Sequence, residues 1–176
     1  MQASVMPALG QPSHFEVPQQ VVSDSRVLGY LGRALSLEFS TGQHYLAQAS
    51  LAKFRNEPNH AQGFVALANE EFQHANLLID RMAGQGALPS SSVLSPATPA
   101  NSIAESLQSC QIKKLALIQL YTSACQYCAN ASFLEDHALF SRLLEEEQAQ
   151  LMRVNNWLEE FYRSMSSNQS LSRGFA

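Results

Sequence analysis

"ANEEFQHANLL", residues 68–78, decides the fold, because two acids and a histidine interrupt a run that otherwise reads as an amphipathic helix. Phe64, Leu67, Glu71, His74, Ala75, Leu78 and Met82 recur at steps of three and four, the spacing of one helical stripe. Such a stripe faces a core. Glu71 and His74 therefore stand where apolar residues are expected, one turn apart on the same face. A carboxylate in that position must protonate, pair or bind a cation.

The same periodicity occurs in three other segments. Helix A starts after Ser23 or Asp24, both good N-caps, and runs to about Phe54 with Leu28, Leu31, Leu35, Glu38, Gly42, Tyr45, Leu46 and Ala49 inward. "RNEPNH" (55–60) breaks it, since proline cannot continue the hydrogen-bond ladder. Helix B spans about Asn59 to Met82. The Gly-, Pro- and Ser-rich stretch 83–102 has no pattern of its own. A connection that long carries the chain from one end of a bundle to the other. Ser102-x-x-Glu105 is a capping box for helix C, about Ile103 to Phe133, with Leu107, Leu115, Ile118, Thr122, Cys125 and Ala129 inward. Asp136 is the expected cap of helix D, about His137 to Met165, with Phe140, Leu143, Leu144, Glu147, Leu151, Val154 and Leu158 inward. No strand signal of any length occurs. The expected fold is all-α, a four-helix bundle over residues 23–165 with one long B–C crossover. Residues 1–22 read as an extended arm with Phe15 and Val17 as anchors, and 166–176 as a polar tail too short for a fifth helix.

Composition excludes several function classes. The net charge is −4 and the basic residues are scattered, so no phosphate-binding or nucleic-acid surface is expected. The single basic doublet, Lys113–Lys114, reads as a solvated helix face. No stretch approaches the ~20 apolar residues of a membrane span. The first residues lack a basic start and an apolar region, and the cysteine count is odd, at 3, which suggests a cytoplasmic protein. Cys125-x-x-Cys128 lies inside a helix among small residues, where close helix packing explains it. There is no second such pair, hence no rubredoxin-like iron centre. His14, His44, His60 and His137 are isolated and read as surface or partly buried. No nucleophilic triad or phosphate loop is present.

Each helix stripe can be checked for polar residues. Helix A carries Glu38, helix B carries Glu71 and His74, and helix D carries Glu147. On this reading no lysine or arginine faces inward at the same depth. Three inward glutamates then require a cation among them. Carboxylate and imidazole together suit Fe, Mn or Zn rather than Ca or Mg.

At these residues the chain resembles the ferritin-like superfamily, and bacterioferritin most. The segments are "LGRALSLEFSTGQHYLAQA" (31–49), "NEEFQHANLLIDRM" (69–82) and "LLEEEQAQLMRVNNWLEE" (143–160), within a resemblance that covers residues 23–163. The resemblance implies Glu38 as terminal carboxylate of a first iron, His74 as its imidazole, and Glu71 and Glu147 as carboxylates bridging two irons. It departs at the second iron. The family's helix C glutamate falls near Ile118, and the histidine three residues after the last bridging acid is Gln150, kept as a further metal-site residue. The family's haem methionine corresponds to Phe72, so no haem is expected. The implied activity is Fe(II) oxidation by O₂ or peroxide, for iron storage or detoxification, with one or two irons per chain. A working pair of irons would make the protein a ferroxidase. The resemblance further implies a homo-oligomer, a dimer or larger, or assembly with a related ferritin-like subunit. The alternative is a non-catalytic ferritin-like subunit or protein-binding module retaining half a metal site. A third reading, an oxygenase acting on an organic substrate, needs an apolar channel to the metal. Tyr30 and Trp157, with Phe15, are candidate pairing aromatics.

Overall fold

The computed structural model describes residues 24–90 and 93–173, with side chains through residue 167. The arm read over 1–22, Phe15 and Val17 with it, lies outside the described residues. Four helices follow one another: α1 (Ser25–Phe54), α2 (Pro58–Gly84), α3 (Ile103–Asn130) and α4 (Leu134–Arg173). α1 packs on α2, α3 on α4, and α1 on α3. This is the four-helix bundle expected from the stripes. No helix among the described residues is long and apolar enough to cross a membrane.

The termini follow from local chemistry. Asp24 caps α1, its carboxylate accepting from the backbone N–H of Arg26 and Val27 at 2.9 Å. α1 ends at Phe54, and two residues on Asn56 takes a left-handed φ of 58° that asparagine tolerates. Pro58 then opens α2 at a position where its missing N–H has no partner to lose. Ser102 accepts from Glu105 N–H, and the Glu105 carboxylate reaches back to the N–H of Asn101, closing the box one residue early.

Two boundaries differ from the sequence reading. Asp136 does not cap α4 but lies inside its first turn, buried and bonded to Arg81 of α2 and to Gln85, which caps that helix. The break falls at 131–133, where Ser132 adopts a φ of 61°. α4 also continues beyond residue 165 to Arg173, so the polar tail begins as helix.

The crossover lies along α1. Ser40, His44, Gln48 and Arg55 recur one or two turns apart on α1, and each holds it. Ser40 Oγ accepts from Ser95 N–H, and His44 Nδ1 from Thr98 N–H. Gln48 donates to Thr98 O, and Arg55 donates to Ala100 O. These contacts run in the same direction along both segments. The crossover thus returns the chain to the end at which α2 began, which makes α2 and α3 parallel. His44 is fully buried, not at the surface, because it is part of this anchor.

The core is divided. One apolar cluster contains Leu31, Leu35, Ala75, Leu78, Leu117, Tyr121, Phe140 and Leu143. The other contains Tyr45, Ala49, Phe64, Leu67, Cys110 and Val154. In every helix the gap between them falls at one level: residue 38 in α1, 71–74 in α2, 114 in α3 and 147 in α4. Glu38, Glu71, His74, Lys114 and Glu147, all at that level, are buried.

Candidate metal centre

Glu38, Glu71 and Glu147 are fully buried and His74 is 4% exposed. One ligand atom from each lies within 4.8 Å of the others. Three helices therefore converge the residues read from sequence into one group. His74 Nδ1 is 3.0 Å from Glu147 Oε1 and 3.5 Å from Glu38 Oε1, so this nitrogen faces the centre. His74 Nε2 is 2.8 Å from Glu146 Oε2 on the outer side. Glu146 thus fixes the imidazole orientation, as a carboxylate behind a ligating histidine does.

The largest departure from the sequence reading is Lys114. It was assigned to a solvated face, with no inward base expected, yet its side chain is 0% exposed. Its ammonium donates to Glu71 Oε1 and, at 2.7 Å, to Glu147 Oε2. The Tyr45 ring lies 5.6 Å from the same nitrogen, within cation–π range. Placing Lys114 outward had also rotated the α3 stripe by one residue. The buried α3 residues are Leu107, Cys110, Lys114, Leu117, Tyr121, Ala124 and Cys128, whereas Leu115 is exposed. The signal was present in the sequence: that register is an uninterrupted three-and-four repeat once a lysine is admitted to it. Tyr121, also missed, donates to Glu38 Oε1 at 2.5 Å.

These contacts set the charges. Burial alone would lower the His74 pKa. The hydrogen bonds and charges of Glu147 and Glu38 override it and raise it to about 10, so the metal-free imidazole is cationic. Burial drives the Glu71 carboxyl well above the usual range, helped by Glu147 and Glu38 and opposed by Lys114. Burial would lower Lys114, but Glu71, Glu147 and Glu38 hold it above the ordinary lysine value. In the metal-free centre the cationic His74 and the Lys114 ammonium thus face the Glu71 and Glu147 carboxyl groups directly.

The donor set could hold a metal ion. Glu38 Oε2 and Glu71 Oε2 are buried and receive no hydrogen bond from an amide, ammonium, imidazole or phenol among the described residues. With His74 Nδ1 and Glu147 Oε1 they offer mixed oxygen and nitrogen ligands of the type transition metals take. The remaining oxygens, Glu71 Oε1 and Glu147 Oε2, are engaged by Lys114. Gln150 is buried one turn beyond Glu147, with neither amide atom hydrogen-bonded among the described residues. Phe72 packs edgewise on Gly42, where an added Cβ would come within 2.7 Å of its ring, and faces Phe39.

Outside the centre the sequence candidates are structural. Cys110 and Cys128 are raised by burial to about 12 and about 11, and Cys125 also upward. None is a ready thiolate. Tyr30 packs on Tyr127 and Phe140, and Trp157 stacks on His60 and lies tilted against Phe64; both are half-buried.

Comparison with known proteins places the fold. The model of the Rubrerythrin family matches residues 29–156. Among solved structures the chain is similar to a bacterioferritin of Rhodobacter capsulatus, described with a metal-free dinuclear site and haem iron. The two share 21% identity with a TM-score of 0.77, over 80% of this chain and 88% of that one. No curated protein sequence matches significantly.

Proposed function

The chain belongs to the Rubrerythrin family, and from that premise we propose that it is a ferritin-like iron-binding protein. The iron is taken by Glu38, Glu71, His74 and Glu147, with Gln150 one turn further along α4. Family membership and the buried carboxylate–imidazole group support iron binding. The observation that carries the reading is the convergence of those four ligand atoms, from three helices, within 4.8 Å in a buried gap of the core. A purely structural bundle could fill that gap with apolar residues at little cost.

The chain's own groups prepare the site. Glu146 holds His74 Nε2, which directs Nδ1 inward. Tyr121 fixes one oxygen of Glu38 and leaves the other open. Uptake of Fe(II) requires Nδ1 to release its proton and Glu71 to ionise, so binding strengthens as pH rises. The bound iron supplies redox chemistry toward O₂ or peroxide, and the proposed role is Fe(II) oxidation in storage or detoxification. The cytoplasm as location, and a homo-oligomer or a related ferritin-like subunit as partner, accompany this reading. Phe72 offers no lone pair at the position corresponding to the haem methionine, so the centre is assigned without haem.

A second reading is favoured by one observation, the ammonium of Lys114 within the group. It is a non-catalytic ferritin-like subunit that keeps half a site and works with a competent partner. The combined change Glu71→Ala and His74→Ala tests the proposal. It should abolish stoichiometric Fe(II) uptake in anaerobic titration while leaving the far-UV helical signal largely intact. Full uptake by the variant would refute the site assignment.

A further inference from the structure

We propose that the Lys114 ammonium takes the place of a second metal ion, so that the centre accepts one divalent cation per chain and stays folded with none. The inference rests on the iron-binding reading above for its first half and on the metal-free geometry for its second.

Glu71 and Glu147 each turn one oxygen to Lys114. Their other oxygens lie elsewhere: Glu147 Oε1 meets His74 Nδ1 at 3.0 Å, and Glu71 Oε2 receives no hydrogen bond from an amide, ammonium, imidazole or phenol among the described residues and adjoins the Glu38 carboxyl. The two carboxylates therefore bridge two positions. One is filled by a covalently tethered cation; the other is lined by Glu38, His74 and the free oxygens. An ammonium donates three hydrogen bonds and accepts none, so it cannot share its position with a metal ion.

The charge accounting supports the same substitution. A divalent ion that brought one carboxylate ligand of its own from α3 would add a net single positive charge. Lys114, the α3 residue at that depth, adds the same charge alone. No acid lies on the buried face of α3, whose only acid, Glu105, is spent on the cap. The lysine is also built in: it is 0% exposed, flanked by the Tyr45 ring, and bonded to carboxylates from two helices. An exposed lysine that happened to fold inward would lack such enclosure.

The experiment compares the wild type with Lys114→Met, which keeps the length and removes the charge, and Lys114→Glu, which supplies a fourth carboxylate. Chelator-treated proteins are melted by circular dichroism, then titrated anaerobically with Fe(II) and with Co(II). Removing the only buried lysine leaves Glu71 and Glu147 without their cation. The metal-free Lys114→Met protein should thus melt on the order of 10 °C below wild type. Wild type should take up one metal ion per chain and Lys114→Glu two. Two ions in the wild type, or a metal-free Lys114→Met melt equal to wild type, would overturn the proposal. If Lys114→Glu fails to fold, the Lys114→Met melt decides. Suppose instead that wild type binds no metal, while Lys114→Met melts low and Lys114→Glu gains binding. Then the iron-binding reading fails and the lysine's role stands.

Discussion

His74→Gln in the metal-free protein should change how stability depends on pH. The native imidazole is held at about 10 against 6.5 in the unfolded chain. Between those values the folded state carries one proton that the unfolded state has lost. The stabilisation from His74 is therefore complete below pH 6.5 and drains away as pH rises through 10. Within that window a single proton corresponds to about 1.4 kcal/mol per pH unit. Between pH 6.5 and 8.5 the imidazole should then account for a loss of roughly 2 to 3 kcal/mol. Glu71 acts in the same direction, because its neutral folded form competes with an ionised unfolded one above the ordinary glutamate range. The informative quantity is accordingly the difference between two profiles. Urea unfolding of chelated wild type and His74→Gln at several pH values supplies it. Glutamine can donate a hydrogen bond to Glu147 but cannot titrate. The variant should be less stable at pH 6 by about 3 kcal/mol, the cost of leaving buried carboxylates short of a cation. That deficit should nearly close by pH 8.5. Parallel profiles over this range would refute the imidazolium and the charge arrangement built on it.

Other variants test the packing and the anchors. Gly42→Ala should cost about 1 to 3 kcal/mol by driving a methyl into Phe72, since its Cβ would lie 2.7 Å from the ring. Gly29→Ala, whose Cβ meets nothing within 4 Å, should instead add about 0.5 to 1 kcal/mol in the same urea assay. Tyr121→Phe should destabilise the metal-free protein by about 1.5 to 3 kcal/mol, because it strips Glu38 of its 2.5 Å hydrogen bond. His44 has the opposite sign to His74. Burial, with Lys113 nearby, lowers it from 6.5 to about 4, so its stabilisation is present above 6.5 and lost as pH falls through 4. His44→Gln should flatten the acid limb of the stability profile and loosen the crossover, seen as faster proteolysis near Thr98.

The bundle was readable because each helix repeats its apolar residues at steps of three and four and the turns carry proline, asparagine and a capping box. The acids were readable for the same reason: Glu38, Glu71 and Glu147 occupy stripe positions, and His74 lies one turn from Glu71. Lys114 escaped because a lysine beside a second lysine is ordinarily solvated, and a one-residue rotation of α3 still yields a plausible apolar face. Leu115 and Ile118 supplied that false face. His44 escaped because its partners, Ser109 and Thr98, are distant in sequence and come together only when the crossover lies along α1. Asp136 was mistaken for a cap because its true partner, Arg81, belongs to another helix. In each case the deciding contact is between helices, and periodicity within one helix does not report it.

Anomalous diffraction at the iron edge, from crystals grown without metal and soaked anaerobically in Fe(II), tests the central claim most directly. The account predicts one strong peak per chain, bounded by Glu38, His74 Nδ1 and Glu147, with Lys114 still bonded to Glu147. Peaks confined to surface acids, or no peak beside His74, would contradict it.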